Sequence, residues 1–427
     1  MSSNETTTTN PAVSAGEKPA KTATASQKVR FGASYFLFSL LWMVGLCIVS
    51  VVLLPQRLTD IDPATKVAAT GVLNAVTAFV SLASNLVVGN LSDRTRSIFG
   101  RRSPWIVGGG VLAGVSMFLM GVVPSVVLIG VMYSLAMVGL NAMIAPIMAA
   151  LADRVPDDMR GTVSGFIAAG NLMGNSLGTL IGAYFITVMI PGFVLSGVLM
   201  GISGLVAVLV WPKEASSKDM PKLEGGVSEL LVSFRPPKNA PDFYLAFAGR
   251  TLILFAYQMI SVYQLYILQD YMGQSAEESA ATISVMSLVL MVASLISSLS
   301  AGRISDMIGR RKPPVVIASV LLAIGTALPW FIHTPFSMVL YVAVGGFGYG
   351  VYSAVDQALN VDVLPDPEAS GKDLGILNMA TTLGQMVGPI VASLVVSVTG
   401  GYGAVFATSV IAALLACVFI LKIKGVE

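Results

Sequence analysis

The chain has 427 residues, of which 55% are hydrophobic and only 11% are charged. Soluble domains contain about 25% charged residues, so this composition excludes an ordinary water-soluble protein. The formal net charge of +2 is too small to favour a nucleic-acid partner, and the expected partner is the lipid bilayer.

Residues 1–30 are rich in Thr, Ser, Ala and Lys and contain no apolar run, which predicts a disordered cytoplasmic tail. Apolar segments then recur, each long enough to cross the bilayer as a helix. We predict twelve spans, at about 33–54, 68–90, 104–124, 126–151, 162–189, 191–211, 243–270, 277–302, 314–332, 336–362, 373–399 and 402–422. In span five, glycine at every fourth position from Gly170 to Gly182 predicts close helix packing.

The spans divide into two similar halves. Charged runs bracketed by glycine occur after span two, at 89–102, and again after span eight, at 302–311. This repeat predicts an all-α membrane protein with twelve transmembrane helices in two six-helix bundles related by pseudo-two-fold symmetry. The bundles are predicted at 31–211 and 242–424, with a cytoplasmic linker at 212–241. All but three of the 25 basic residues fall on one side, which predicts that both termini are cytoplasmic.

The charged runs also carry a family resemblance. The first has Gly89, Asp93 and Arg94 followed by Gly100-Arg101-Arg102, and it resembles the loop motif of the major facilitator superfamily. Its longer form, Ser92–Trp105, is similar to sugar:cation symporters of the melibiose-permease and sucrose-transporter kind. The resemblance implies secondary transport by alternating access, with Asp93 against the start of span eleven when the cytoplasmic side closes. The gating candidates are Asp93, Arg94, Arg101, Arg102, Asp153, Asp306, Arg310 and Arg311. The alternative is that these charges only anchor the topology.

Spans one, four, seven and ten resemble the helices that line the cavity in this family. Their polar and aromatic residues combine hydrogen-bonding groups with rings on which the apolar face of a sugar stacks. The candidates for substrate binding are Tyr35, Trp42, Tyr133, Asn141, Tyr257, Gln264, Tyr349 and Tyr352. The alternative for each is a hydrogen bond between helices.

Arg250 and Asp356 are charged residues inside predicted spans, where charges are costly and usually functional. We expect them to pair, with Asp356 as the proton-coupling carboxylate and Arg250 as its competitor. A fixed structural ion pair is the alternative. Spans one, two, four and five contain no acidic residue before Asp153, unlike sodium-coupled melibiose permeases, so protons are favoured over sodium. Neutral polar stripes in spans two and five, including Asn74 and Asn175, are expected to face something polar.

The remaining sequence features exclude several classes of protein. The only histidine, His333, is expected in a solvated loop, and neither a metal-binding cluster, a nucleotide motif nor a nucleophile constellation is present. We therefore expect no cofactor, no metal and no enzyme. The sequence favours a monomeric, proton-coupled importer of a saccharide or glycoside in a bacterial cytoplasmic membrane. The alternatives are a proton-coupled exporter of amphipathic compounds, which the 21 Met residues favour, and a non-transporting solute sensor.

Overall fold

A computed structural model describes residues 24–218, 220, 237, 240–308, 312–364 and 370–424. Most of the predicted tail and linker, together with Arg310 and Arg311, lies outside these residues. The first helix begins at Ala25, inside the predicted tail. It starts there because Thr24 and Gln27 form a capping box, in which each side chain accepts a hydrogen bond from the other residue's backbone N–H.

The described residues form helices and no strands, which confirms the predicted all-α fold. We label twelve long helical segments α1 to α12 in chain order. Their bounds are α1 Ala25–Cys47 with its continuations Ile48–Leu53 and Leu54–Ile61, α2 Lys66–Arg94, α3 Ser103–Val122, α4 Val126–Arg154, α5 Asp157–Tyr184, α6 Met189–Val210, α7 Pro241–Ser261 with Gln264–Tyr266 and Ile267–Tyr271, α8 Ala276–Ile308, α9 Lys312–Phe331, α10 Pro335–Asp362, α11 Ser370–Thr399 and α12 Gly403–Leu421. Eleven helices in the described chain are long and apolar enough to span a membrane. The twelfth segment, α5, has 28 residues that include six Gly, two Asn and two Ser.

Two hydrophobic cores correspond to the two halves of the chain. The first is built from residues of α1 to α6 and the short segment after α6, between Phe31 and Trp211. The second is built from residues between Ala240 and Ile423. A third cluster joins the halves, with Val52 of α1 packed among buried residues of α7 and α12 such as Tyr266. The halves are thus separate bundles, and this apolar cluster is a region where they meet.

Glycines allow the first helix of each half to lie against the fifth at backbone distance. A Cβ atom at Gly178 of α5 would lie 2.6 Å from the carbonyl oxygen of Val44 in α1. In the second half, a Cβ atom at Gly384 of α11 would lie 2.6 Å from the carbonyl oxygen of Thr251 in α7. Both distances are too short for any side chain, so glycine is required at these crossings. The close packing expected for span five is confirmed.

Each half also contains a π-helical segment in its first helix. In α1 it covers Ile48–Leu53, and in α7 it covers Ile267–Tyr271. π-helical turns widen the helix and occur frequently at functional sites. Both segments lie at the end of their helix that is farther from the chain termini, and both belong to the region where the two halves meet.

Polar contacts seal the end of the molecule where the two π-helical segments lie. The Nζ atom of Lys66 in α2 lies 2.8 Å from Oδ1 of Asp270 in α7, and the Nε2 atom of Gln269 donates to Oε1 of Gln56 over 2.8 Å. The hydroxyl of Tyr266 donates to the carbonyl oxygen of Pro55 at 3.0 Å. Val52 and Leu268 are fully buried beside these contacts. The end of the molecule remote from the termini is therefore closed by residues of both halves.

Candidate functional site

A cavity of about 380 Å³ lies between the two halves and draws its walls from both. We call it the central cavity. The lining hydroxyl groups belong to Ser50, Thr77, Ser81, Thr179, Ser261 and Ser287, the carboxamides to Asn74, Asn175, Gln258, Gln264 and Gln385, and the aromatic rings to Tyr133, Tyr257 and Tyr341. Methionine and aliphatic side chains complete the wall, and the described lining residues include no charged side chain. Such a surface offers many neutral donors and acceptors and several ring faces.

Three of the predicted substrate residues, Tyr133, Tyr257 and Gln264, line the central cavity. Tyr349 lies behind Tyr257, with the two rings parallel and their centroids 4.1 Å apart. Tyr352 is buried, and its ring centroid lies 6.3 Å from that of Tyr349. These two tyrosines thus form a layer behind the cavity wall.

The other three predicted substrate residues lie elsewhere in the first half. The Oδ1 atom of Asn141 in α4 accepts a hydrogen bond from Nδ2 of Asn85 in α2 over 3.2 Å. Asn141 therefore makes the hydrogen bond between helices that was the alternative to substrate binding. Tyr35 and Trp42 line a second, smaller cavity of about 130 Å³. We call it the aromatic pocket, and its walls are Tyr35, Phe38, Ser39, Trp42, Ile144, Ile147, Met148, Ile167 and Asn171.

Several cavity residues lie on helices that were not expected to line it. Asn74 of α2 and Asn175 of α5 belong to the neutral stripes that the sequence indicated, and both line the central cavity. Ser287 of α8 and Gln385 of α11 had been missed. A polar residue in an apolar span was the signal available for both. Tyr341 was missed although it lies on α10, and its buried hydroxyl has no hydrogen-bond partner among the residues that the structure describes.

Arg250 and Asp356 form the ion pair that the sequence predicted. The Nη1 atom of Arg250 lies 3.1 Å from Oδ2 of Asp356, and both side chains are more than nine-tenths buried. Arg250 also donates from Nε to the hydroxyl of Thr381 at 2.8 Å and from Nη2 to Oδ1 of Asn378 at 3.2 Å. Asn360 donates to Asp356 at 2.9 Å. The pair connects α7, α10 and α11.

Four of the five predicted gating residues of the first half form one network: Asp93, Arg101, Arg102 and Asp153. Arg102 lies between two carboxylates, 2.5 Å from Asp93 and 2.9 Å from Asp153, and Arg101 also contacts Asp153 at 2.5 Å. Asp93 therefore has a partner within its own half in this conformation. Arg94 is the last residue of α2 and is partly buried. The side chain of Asp306, in α8, is among those outside the description, as are Arg310 and Arg311.

Glu214, just after α6, belongs to the same network and was not anticipated. Its Oε1 atom accepts hydrogen bonds from the backbone N–H groups of Arg101 and Arg102, both over 3.1 Å. Its Oε2 atom accepts from the backbone N–H of Ser103 at 2.9 Å and from its hydroxyl at 2.6 Å. A carboxylate here satisfies N–H groups that have no partner within α3 and complements the helix dipole. The start of the linker is thereby attached to the loop between α2 and α3.

Two six-helix halves around a central cavity define a membrane carrier for small solutes. A family model described as the Major Facilitator Superfamily matches residues 31–291 and 251–426. The chain belongs to the major facilitator superfamily and is a multi-pass membrane transporter, not an enzyme.

Similar proteins agree at the level of fold. A curated relative, the uncharacterized MFS-type transporter C18.02 of Schizosaccharomyces pombe, is 28% identical over 149 residues, which are 35% of this chain and 33% of the relative. The match thus spans about a third of that protein's length. A bacterial homolog of the human lysosomal transporter Spinster, inward-facing and occupied, has a TM-score of 0.70 at 13% identity and covers 95% of this chain and 98% of its own. The nucleoside transporter NupG has a TM-score of 0.71 at 16% identity, with 93% and 98% covered.

Proposed function

We propose that the protein imports a neutral saccharide or glycoside together with protons through the central cavity, by alternating access. The observation that carries the proposal is the wall of the central cavity, in which the described lining residues are uncharged and rich in carboxamides, hydroxyls and tyrosine rings. Charged solutes need a paired charge in a low-dielectric site. A neutral solute with many hydroxyl groups instead finds donors, acceptors and ring faces.

Proton coupling is proposed for the Arg250–Asp356 pair. Protonation of Asp356 would remove its charge and leave Arg250 bonded only to the neutral groups of Thr381 and Asn378. Thr381 lies one helical turn from Gln385, which lines the central cavity. The state of the ion pair and the occupancy of the cavity therefore act on the same stretch of α11.

A second connection from the ion pair to the cavity runs through the tyrosines. Asp356 and Tyr352 lie four residues apart on α10, so they share a helix face. The ring of Tyr352 neighbours that of Tyr349, which stacks on Tyr257 in the cavity wall. A shift of Tyr257 on solute binding would thus reach the ion pair through two contacting rings.

The proposed orientation makes the sealed end extracellular. If both termini are cytoplasmic, as the basic residues predict, the contacts around Lys66 and Asp270 close the outer side, and this conformation faces inward. The pairing of Asp93 with Arg102 within the first half supports this assignment, because the cytoplasmic closing contact expected for Asp93 would be with α11. We propose a bacterial cytoplasmic membrane and a monomer as the setting.

Uptake into proteoliposomes tests the function. Purified full-length protein is reconstituted and offered a panel of labelled mono- and disaccharides, nucleosides and sugar phosphates, with and without an inward proton gradient. We expect a neutral saccharide to accumulate only with the gradient and sugar phosphates to be excluded. Accumulation of a nucleoside but no saccharide would contradict the substrate class, and uptake that ignores the proton gradient would contradict the coupling.

Export of an amphipathic compound is the second candidate. It is favoured by Met43, Met137 and Met286 in the central cavity, because flexible thioethers adapt to varied apolar ligands. Proton-driven extrusion of a lipophilic dye from inverted vesicles, without saccharide uptake, would establish export instead of import.

A further inference from the structure

The aromatic pocket is lined by α1, α4 and α5, three of the four helices of the first half that line the central cavity. On α5, Asn171 lines the aromatic pocket, and Asn175, one turn further along, lines the central cavity. On α1, Trp42 and Met43 are adjacent residues that line one cavity each. These lining positions lie at most one helical turn, about 5.4 Å, apart along α1 and α5, which is within the length of a solute that carries two rings.

The size and chemistry of the aromatic pocket select a flat apolar group. Its volume is about 130 Å³. An engineered apolar cavity of about 150 Å³ is known to hold benzene, so the space suits one ring and not a second sugar with its hydration. The hydroxyl of Tyr35 donates to the carbonyl oxygen of Ile147 at 3.0 Å, which leaves the face of its ring as the surface that it offers.

A buried polar atom of this pocket lacks a partner in the described part of the chain. The Oδ1 atom of Asn171 is buried and receives no hydrogen bond from the described residues. A buried acceptor without a donor costs free energy, and a bound ligand that carries an O–H or N–H group at this point would remove that cost. The pocket therefore favours a ring that carries a hydrogen-bond donor over the unsubstituted ring.

We infer that the aromatic pocket binds the hydroxylated aromatic aglycone of a glycoside whose sugar occupies the central cavity. This inference rests on the proposed function and narrows its substrate class from saccharides in general to aryl glycosides. The sugar takes the neutral hydrogen-bonding groups around Asn175, and the aglycone lies against Trp42 and Phe38, with its hydroxyl donating to Oδ1 of Asn171.

Matched ligands separate the two sites. Binding of methyl, phenyl and 4-hydroxyphenyl β-D-glucosides, and of the corresponding β-D-galactosides, is measured by calorimetry on the purified full-length protein. The methyl glycosides test the central cavity alone. For the sugar that binds, we expect the phenyl glycoside to bind about fivefold tighter than the methyl glycoside. We expect the 4-hydroxyphenyl glycoside to bind about threefold tighter again.

Variants test which residue is responsible for each gain in binding affinity. Trp42→Ala should abolish the difference in affinity between the phenyl and methyl glycosides, and Trp42→Phe should restore most of it. Asn171→Leu, which is similar in volume, should abolish only the gain from the hydroxyl group. Asn175→Ala, in the central cavity, should weaken all three ligands by the same factor.

Either of two results would contradict the aglycone site without contradicting the proposed function. One is equal affinities for the methyl and phenyl glycosides, and the other is a Trp42→Ala variant that binds both more weakly by the same factor. In either case the methyl glycoside still binds, so the proposed function stands. If no glycoside binds and no saccharide is transported, the proposed function fails, and the aglycone site fails with it.

Discussion

Arg250 and Asp356 are the two residues whose charges most need an explanation, because both are buried in helices that cross the membrane. Placing a charged side chain at the centre of a membrane helix costs about 2.5 to 3.5 kcal/mol on insertion scales, and pairing offsets part of that cost. The pair has three further neutral contacts, from Thr381, Asn378 and Asn360. Removing only one of the two charged residues from this network therefore costs free energy.

Asp356→Asn is expected to separate coupling from translocation. The amide keeps the shape of the side chain but cannot take up a proton, so accumulation driven by a proton gradient should fall to the level without a gradient. Exchange of labelled for unlabelled solute across the membrane should persist, because it needs no net proton movement. Both are measured in proteoliposomes, with Glu277→Gln as the control, since Glu277 is exposed in the first turn of α8. Retained accumulation in Asp356→Asn would rule out this carboxylate as the coupling group.

The same pair also predicts a pattern of stability. Arg250→Met alone leaves Asp356 buried without its cation, and removing one partner of a buried pair costs about 3 to 5 kcal/mol. The double variant Arg250→Met with Asp356→Leu removes both charges and should regain most of the lost thermal stability while remaining uncoupled. Equal melting temperatures for the single and double variants would show that the two charges do not depend on each other.

The sequence identified the charged pair but only part of the cavity, and the reason is geometric. A charged residue within an apolar span can be recognised from the sequence alone, so Arg250 and Asp356 could be found. Tyr349 and Tyr257 both lie on polar stripes, but only their packing shows that one ring covers the other. Gln385 lies on a helix that the family resemblance did not mark as lining the cavity, although its carboxamide reaches the wall.

At the scale of helices, the pairing of α1 with α5 is repeated by α7 with α11. Gly178→Ala should destabilise the first bundle by about 2 kcal/mol, because the added methyl group would meet the carbonyl oxygen of Val44 and push the helices apart. The effect is read as a lower melting temperature in detergent. Gly165→Ala is the matched control, since no atom of the described residues lies within 4 Å of a Cβ atom at Gly165 in the same helix. If Gly178→Ala is as stable as this control, α1 and α5 can move apart at this contact without loss of stability.

The helices themselves were predictable because hydrophobic length and glycine spacing are properties of local sequence. The π-helical turns of α1 and α7 were not. Neither Ile48–Leu53 nor Ile267–Tyr271 has a composition that distinguishes it from ordinary α-helix. These turns lie where the two halves meet, which only the tertiary contacts reveal.

At the scale of the whole molecule, the contacts at the sealed end decide which side of the membrane reaches the central cavity. Lys66 joins the halves twice, through its ion pair with Asp270 and by lying 5.0 Å from the ring centroid of Tyr266. Opening this end must break both contacts. The free energy that they supply therefore sets part of the balance between the two conformations.

Cys47 provides a native reporter for that balance, because it is buried and lines the central cavity. In a Cys417→Ala background, Lys66→Ala should increase the rate at which a membrane-impermeant thiol reagent, added outside, modifies Cys47. An ion pair of this exposure contributes about 1 kcal/mol, so the expected increase is roughly fivefold.

The exchanged pair Lys66→Asp with Asp270→Lys is the control for that experiment. It restores opposite charges across the seal and should return the labelling rate close to that of the parent. If Lys66→Ala and the exchanged pair label equally fast, the charges do not hold the seal.

The described lining of the central cavity is uncharged, and this has an electrical consequence. When a neutral solute crosses with a proton, each cycle moves one positive charge, so the carrier would generate current. A membrane voltage of 100 mV is then worth about 2.3 kcal/mol per cycle, or roughly a fiftyfold concentration ratio. Imposing such a voltage with potassium and valinomycin, at equal pH on both sides, should drive uptake, and electrically silent uptake would contradict this stoichiometry.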